Sequence, residues 1–241
     1  MVKQNEIKIL RSEDTPWGGH ERFRIRVIRP EQIFETSEND LSDITNNGLG
    51  PLLLVMHCEL NNVLIPMHEH RNDEILSYVW RGEMYHKDSV GDEKVVSPNN
   101  LMLMNAGSSF FHEESSQSAE VLQVLMMPNE LELASEVQFL KREVSYSKEW
   151  NLLGGHKDSG APLKIRNNIA IFDAHLESGI VTSIPKIENL MPWLYIMDGK
   201  VRVKETILKK GDAITGPYEN IEEIEALDKT TLVLFLTDLN S

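Results

Sequence analysis

Two short segments carry side chains able to hold a metal ion: Met67-His68-Glu69-His70-Arg71-Asn72-Asp73-Glu74 and His112-Glu113-Glu114. On an extended strand, residues i and i+2 project to the same side, about 7 Å apart. His68 and His70 can therefore converge on one ion, and so can His112 and Glu114. If the two strands lie side by side in one barrel, the donor set is three imidazoles and one carboxylate. Such donors suit Fe(II), and also Mn, Ni, Cu, Co or Zn, and on an octahedral ion they leave about two positions open for substrate or O2. Open positions imply chemistry rather than a structural staple. A solitary His-x-His on a strand is more often a solvated pair than a ligand pair; a second same-face pair in the same half of the chain brings the two readings level.

The other titratable candidates read differently. His57, beside Cys58 in an apolar run, and the lone His20, His86, His156 and His175 are expected to be structural or surface residues. Cys58 is the sole cysteine, which excludes an intramolecular disulfide and any multi-cysteine zinc or iron–sulfur site. It is expected to behave as a buried small hydrophobe.

The elements that must position the site are strands. Short runs rich in Val, Ile, Leu and Tyr, broken by Gly, Pro, Asn and Asp, occur at 51–60, 74–81, 84–87, 101–104, 119–126, 169–176, 193–197, 200–203 and 231–236. Many short strands with tight turns predict a sandwich or barrel. Leu131, Ala134, Val137 and Leu140 recur at spacing three and predict a short amphipathic helix over 130–141. The polar, turn-rich stretch 31–50 reads as a surface loop, and 141–160, with Gly154, Gly155 and Gly160, as a linker.

The two halves echo one another. Ile65-Pro66 followed by Tyr78-Val79-Trp80-Arg81-Gly82 has a counterpart in Ile184-Pro185 followed by Leu194-Tyr195-Ile196-Met197-Asp198-Gly199, with a short gap reconciling the spacings. Two similar all-β domains are expected: 1–140 carrying the metal site, and 161–241 without one. At the positions echoing His68 and His70 stand Ile187 and Asn189, and no histidine follows His175.

The chain has 241 residues, 41% hydrophobic and 26% charged, with a formal net charge of −14. That balance is globular rather than disordered, and the negative field disfavours phosphate backbones and anionic membranes. No direct nucleic-acid or membrane partner is expected. The start Met1-Val2-Lys3-Gln4-Asn5-Glu6-Ile7 lacks a basic segment followed by an apolar run, so a cytoplasmic location is the default expectation.

The motifs resemble those of the pirin family of the cupin superfamily. Pirins carry H-x-H-R-x-x-E, then Y-x-x-x-G, an H-x-D-S step and A-G-x-x-x-x-H-x-E. This chain has His68 to Glu74, Tyr78 to Gly82, His86-Lys87-Asp88-Ser89, and Ala106-Gly107-Ser108-Ser109-Phe110-Phe111-His112-Glu113-Glu114 in the same order. The resemblance implies a bicupin of two jelly-roll-like barrels with short helices, the first binding one metal, usually iron, through His68, His70, His112 and Glu114. Cupins in general place a ligand glutamate where Ile75 stands; Glu74 is one residue early, so it is expected to orient an imidazole from outside the ligand set. Where pirins usually have Pro and Gly-Phe, this chain has Glu69 and Asn72-Asp73, and Pro98-Asn99-Asn100 replaces the usual Pro-Gly-Asp. These changes add negative charge at the mouth.

Some pirins open flavonols such as quercetin with O2. By resemblance, Glu114 would serve as both ligand and catalytic base toward the flavonol 3-hydroxyl. Tyr78, Trp80, Met102, Met104, Phe110 and Phe111 could wall a cavity for a flat ring, although each taken singly is more often core. The alternative is a non-catalytic, metal-dependent regulatory or binding protein whose metal state alters a surface for a protein partner.

Overall fold

The computed structural model describes residues 6–34 and 48–240, so most of the expected loop 31–50 lies outside the described residues. Among the described residues the fold is all-β, with one 3-10 turn at Pro30–Phe34 and a four-residue helix at Tyr218–Ile221. The first half builds an 8-stranded sheet. At its centre Phe110–Met126 lies between Leu52–His70 and Glu74–Asp88, antiparallel to both. The second half builds a 7-stranded sheet, in which Thr230–Thr237 lies between Met191–Asp198 and Ile169–Leu176, and a 4-stranded sheet.

Glu74–Asp88 explains how the halves join. Its first seven residues are all buried, because each face has a different cover. Leu76, Tyr78 and Trp80 share one cluster with Trp193, Tyr195, Val233 and Phe235 of the second half. Val79 instead packs with Cys58, Met84, Met102 and Val121 inside the first barrel. Met191–Asp198 has the same two-sided pattern, with Leu194 and Ile196 facing the second barrel's own core. The barrels thus pack sheet against sheet through large side chains, which read in sequence as unbroken apolar runs.

The echo between the halves has a structural basis in two glycines. Gly82 lies at φ 74°, where the long strand leaves the inter-barrel layer, and a Cβ there would stand 2.0 Å from the Ser118 carbonyl oxygen. Gly199, at φ 83°, separates Met191–Asp198 from Lys200–Val203, which belongs to the other sheet. Both mark the bend at which a strand turns a barrel corner.

Three expectations need correction. The segment 130–141 is not helical: Glu136–Lys141 is a strand paired with Asn100–Asn105. Its spacing-three pattern is misleading because both faces of this strand are half covered, Val137 and Phe139 packing on one cluster and Leu140 on another, while Leu131 is exposed. The stretch 141–160 is not a free linker, since Trp150–His156 pairs with Ile169–Leu176 and Leu163–Ile165. Its glycines serve close packing; a Cβ on Gly155 would lie 2.8 Å from Ser159 Oγ. Finally, Lys8–Leu10 belongs not to the first barrel but to the 7-stranded sheet, where it pairs with Ala213–Thr215. Asp212 anchors it there, accepting from Arg11 Nη1 at 2.9 Å and the Ser12 amide at 2.8 Å.

Candidate metal centre

The two motif segments meet at one end of the first barrel. His68 pairs in register with His112, and His86 with Glu114. The ladder between Leu52–His70 and Phe110–Met126 skips Pro66 and Met67, a register shift between Ile65 and His68 that accommodates a proline lacking an N–H. Backbone bonds then tie the two segments at their ends: Asn72 N donates to Gly107 O (2.7 Å) and Ala106 N to Asp73 O (2.8 Å). Arg71 Nε adds a bond to Ser108 O at 2.9 Å. The H-x-H-R and A-G segments are one fastened unit.

Within it, ligand-capable atoms of His68, His70 and His112 lie within 4.8 Å of one another. His68 Nε2 and His112 Nε2 are 3.1 Å apart. The opposite nitrogens are held: His68 Nδ1 donates to the Pro66 carbonyl at 2.9 Å, and His70 Nδ1 to Asp73 Oδ2 at 3.0 Å. A carbonyl or carboxylate behind each ring fixes the tautomer that offers Nε2 to an ion. Burial, followed by the neighbouring rings of His86, His68 and His70, pushes His112 down to about 3. The ring is therefore neutral at physiological pH, as a ligand must be. The residues present fit a divalent metal.

Glu114 occupies a different place from the simple expectation. Its donor atom groups with His112 and His86 rather than with His68 and His70, and Gln123 Nε2 donates to its two oxygens at 2.9 and 3.0 Å. Burial raises its carboxyl above the ordinary range, against opposing effects from Gln123 and His70. Two overlapping groups thus share His112; the first is half-buried at His68 and His70, and the second is buried throughout.

His86 was expected to be structural or at the surface, yet it stands inside the cluster. Its Nδ1 lies 3.0 Å from His112 Nδ1. The H-x-D-S step is the sequence signal for it; the burial of Met84 and His86 is seen only in the fold. The remaining histidines follow expectation. His57 is buried between Tyr195 (2.8 Å) and Glu120 (2.7 Å), His175 bonds Asp173 and Thr231, and His20 is exposed. Cys58 is buried, its thiol pushed up to about 12 by burial and then by Glu114.

Glu74 does not orient an imidazole; Asp73 does. On this strand the one-residue slip turns Glu74 toward the second barrel, the face shared by Leu76 and Tyr78. There its carboxylate accepts from Asn105 Nδ2 and from the Arg166 amide at 2.9 and 3.1 Å. Glu74→Gln is expected to leave metal affinity near that of the parent in chelator competition. It should lower stability to urea by about 1–3 kcal/mol, because two buried donors lose a charged acceptor.

Of the aromatic and thioether residues, only Phe110 borders the cluster, stacked on His86 (13° between planes) and edge-on to His112. Tyr78 and Trp80 lie between the barrels, Met102 and Met104 are core, and Phe111 is exposed. Among the added acids, Glu69 accepts from Ser109 Oγ at 2.7 Å on the outer surface. No helix among the described residues is long and apolar enough to cross a membrane.

Comparison with known proteins agrees with this architecture. Residues 50–127 match the pirin family and residues 152–237 the quercetinase C-terminal cupin domain. The chain is similar to a pirin-like protein of Caulobacter vibrioides, 27% identical over 72% of this chain and 77% of that one. It is also similar to the quercetin 2,3-dioxygenase of Escherichia coli, 22% identical over 70% and 74%. In fold it is similar to the bacterial pirin YhhW of Escherichia coli, solved in complex with nickel(II), with a TM-score of 0.80, 18% identity and coverage of 97% and 99%. Two barrels joined sheet to sheet, with H-x-H-R and A-G-x-x-x-x-H-x-E motifs fastened at the mouth of the first, place this chain in the pirin family of bicupins.

Proposed function

We propose that the protein is a metal-dependent dioxygenase that opens flavonols such as quercetin with O2, using Fe(II) held by His68, His70, His112 and Glu114. The observation that carries this reading is the convergence of three imidazoles beside a buried carboxylate of raised pKa. A bound Fe(II) would supply Lewis acidity toward the substrate's oxygens and electrons for O2 chemistry. The chain's own contributions are distinct. Glu114 accepts the proton of the flavonol 3-hydroxyl, and its burial makes it a stronger base than an exposed carboxylate. Gln123 holds that carboxylate in place. Phe110 offers an apolar edge to a flat ring, and the relatives' names support an aromatic small-molecule substrate. The second barrel, with Ile187 and Asn189 where the echo would require ligands, acts as a packing partner.

The test is O2 consumption by Fe(II)-loaded protein across a flavonol panel. Uptake is expected with the parent chain, and Glu114→Gln should lower turnover by about 10²–10⁴-fold, the range for a lost general base, while retaining metal on three imidazoles. Fully metallated protein that consumes no O2 with any flavonol would overturn the dioxygenase reading in favour of metal-dependent partner binding.

A further inference from the structure

Away from the metal centre, a cavity of about 240 Å³ opens where the two barrels meet. The first barrel supplies Tyr78, Trp80 and Arg81, and the second supplies His175. A further wall, made of Arg142, Val144 and Tyr146, comes from the stretch expected to be a linker. That stretch is pinned on both sides: Arg142 N donates to Asn99 O (3.0 Å) and Ser147 N to His175 O (2.7 Å). The cavity is therefore preformed. No carboxylate lines it, although the chain carries a net charge of −14, and its permanent lining charges are the guanidiniums of Arg81 and Arg142. Arg142 has one nitrogen to spare. Nε donates to Pro98 O at 2.9 Å and Nη1 to Asp173 Oδ2 at 2.6 Å, while Nη2 is buried with no hydrogen-bond partner among the described residues. A buried charged donor without an acceptor costs more than a neutral one.

We propose that this inter-barrel cavity binds a small aromatic carboxylate of a single ring. A guanidinium is a planar fork that matches a carboxylate, and Arg142 Nη2 is the donor left to meet it. Arg81, exposed and lying over the Trp80 ring at 3.7 Å, adds positive charge at the rim. Tyr78, Trp80 and Tyr146 offer aromatic surface to a flat occupant. Size sets the limit of one ring: sites for drug-sized ligands run to about 300–1,000 Å³ and favour domain interfaces, and this one has the place but a smaller volume. Asp173, which does not line the cavity, already accepts from Tyr78, Arg142, Asn151 and His175. His175 spends its other nitrogen on Thr231. The ligand's oxygens are thus left to the two arginines. The site is separate from the metal centre, and the proposal does not depend on the dioxygenase reading.

The test titrates the full, metal-free chain with benzoate and follows the Trp80 indole N–H, which donates to Thr231 Oγ1 at 3.1 Å, in nitrogen-15 spectra. A saturable shift is expected, with a Kd on the order of 1 mM for so small a ligand. Benzamide, the neutral isostere, should bind at least about 10-fold more weakly, as the loss of a charge-assisted pair requires. Arg142→Lys keeps a cation for Asp173 but loses the fork, and should weaken benzoate by about 10-fold. Val144→Trp fills the cavity while leaving the Arg142 and Asp173 bonds in place, and should abolish the shift. That variant and the benzamide comparison decide the matter even if Arg142→Lys fails to fold. Parent-like binding in Val144→Trp, or benzamide binding as tightly as benzoate, would overturn the proposal. So would inorganic phosphate or cyclohexanecarboxylate binding as tightly as benzoate, since the site would then not select an aromatic ring. Absence of any shift at Trp80, or a shift confined to His86 and His112, would overturn it as well.

Discussion

The paired substitution His68→Ala, His112→Ala is expected to abolish stoichiometric metal binding, measured as metal content after dialysis. His112 belongs to both metal-capable groups, and His68 is its nearest neighbour in the outer one. Their removal leaves His70 and His86 without a shared partner. Loss of an outer hydrogen-bond partner alone costs about 10–100-fold in affinity; removing two imidazoles should exceed that. The variant should still fold, because the bonds that fasten the segments run through Asn72, Ala106 and Arg71. Unchanged metal content in a folded double variant would show that the ion binds elsewhere.

The second large effect is expected far from the metal, at Asp173. Its fully buried carboxylate gathers Tyr78 Oη (2.9 Å) and Arg142 Nη1 (2.6 Å) from the first half, and Asn151 Nδ2 (3.0 Å) and His175 Nε2 (2.9 Å) from its own sheet. Asp173→Ala would leave a buried guanidinium and three further polar groups without their partner. Removing one member of such a buried set typically costs about 3–5 kcal/mol, to be measured by urea denaturation of the metal-free protein. The pH dependence has a definite sign. Burial would raise the Asp173 carboxyl, but His175 and Arg142 together hold it below the usual range. Its contribution is therefore complete above the unfolded value of roughly 4 and lost as pH falls through the lower folded value. The parent should lose stability over that acid window, and the Asp173→Ala curve should be flatter there.

The sequence made the strands, the corner glycines and the two histidine-bearing segments legible, because each rests on local chemistry: alternation, positive φ and i, i+2 spacing. What it hid depends on parity. Residues 75 and 79 face the inside of the first barrel, whereas after Gly82 the inward residues are Met84 and His86. Register shifts at Val79/Arg81 and Glu83/Tyr85 intervene, so alternation cannot be counted through the bend, and His86 could not be placed beside His112 from spacing. Glu74 failed for the same kind of reason on a smaller scale. Its offset from Ile75 was legible, but that this offset aims it at Arg166 depends on a second barrel covering the outer face. The strand at Glu136–Lys141 was hidden because two clusters cover it, which blurs a period of two into one of three.

The pairing of Lys8–Leu10 with Ala213–Thr215 also has a consequence in time. During synthesis the early strand emerges long before its partner, and at about 5–20 residues per second the wait is on the order of 10–40 s. Throughout that interval it has an unsatisfied backbone edge, of the kind that recruits other extended chains. The first barrel can close around its own sheet while this segment stays outside it, and Ala213–Thr215 captures it only after the whole first half has been made. That late capture brings Asp212 over Arg11 and Ser12.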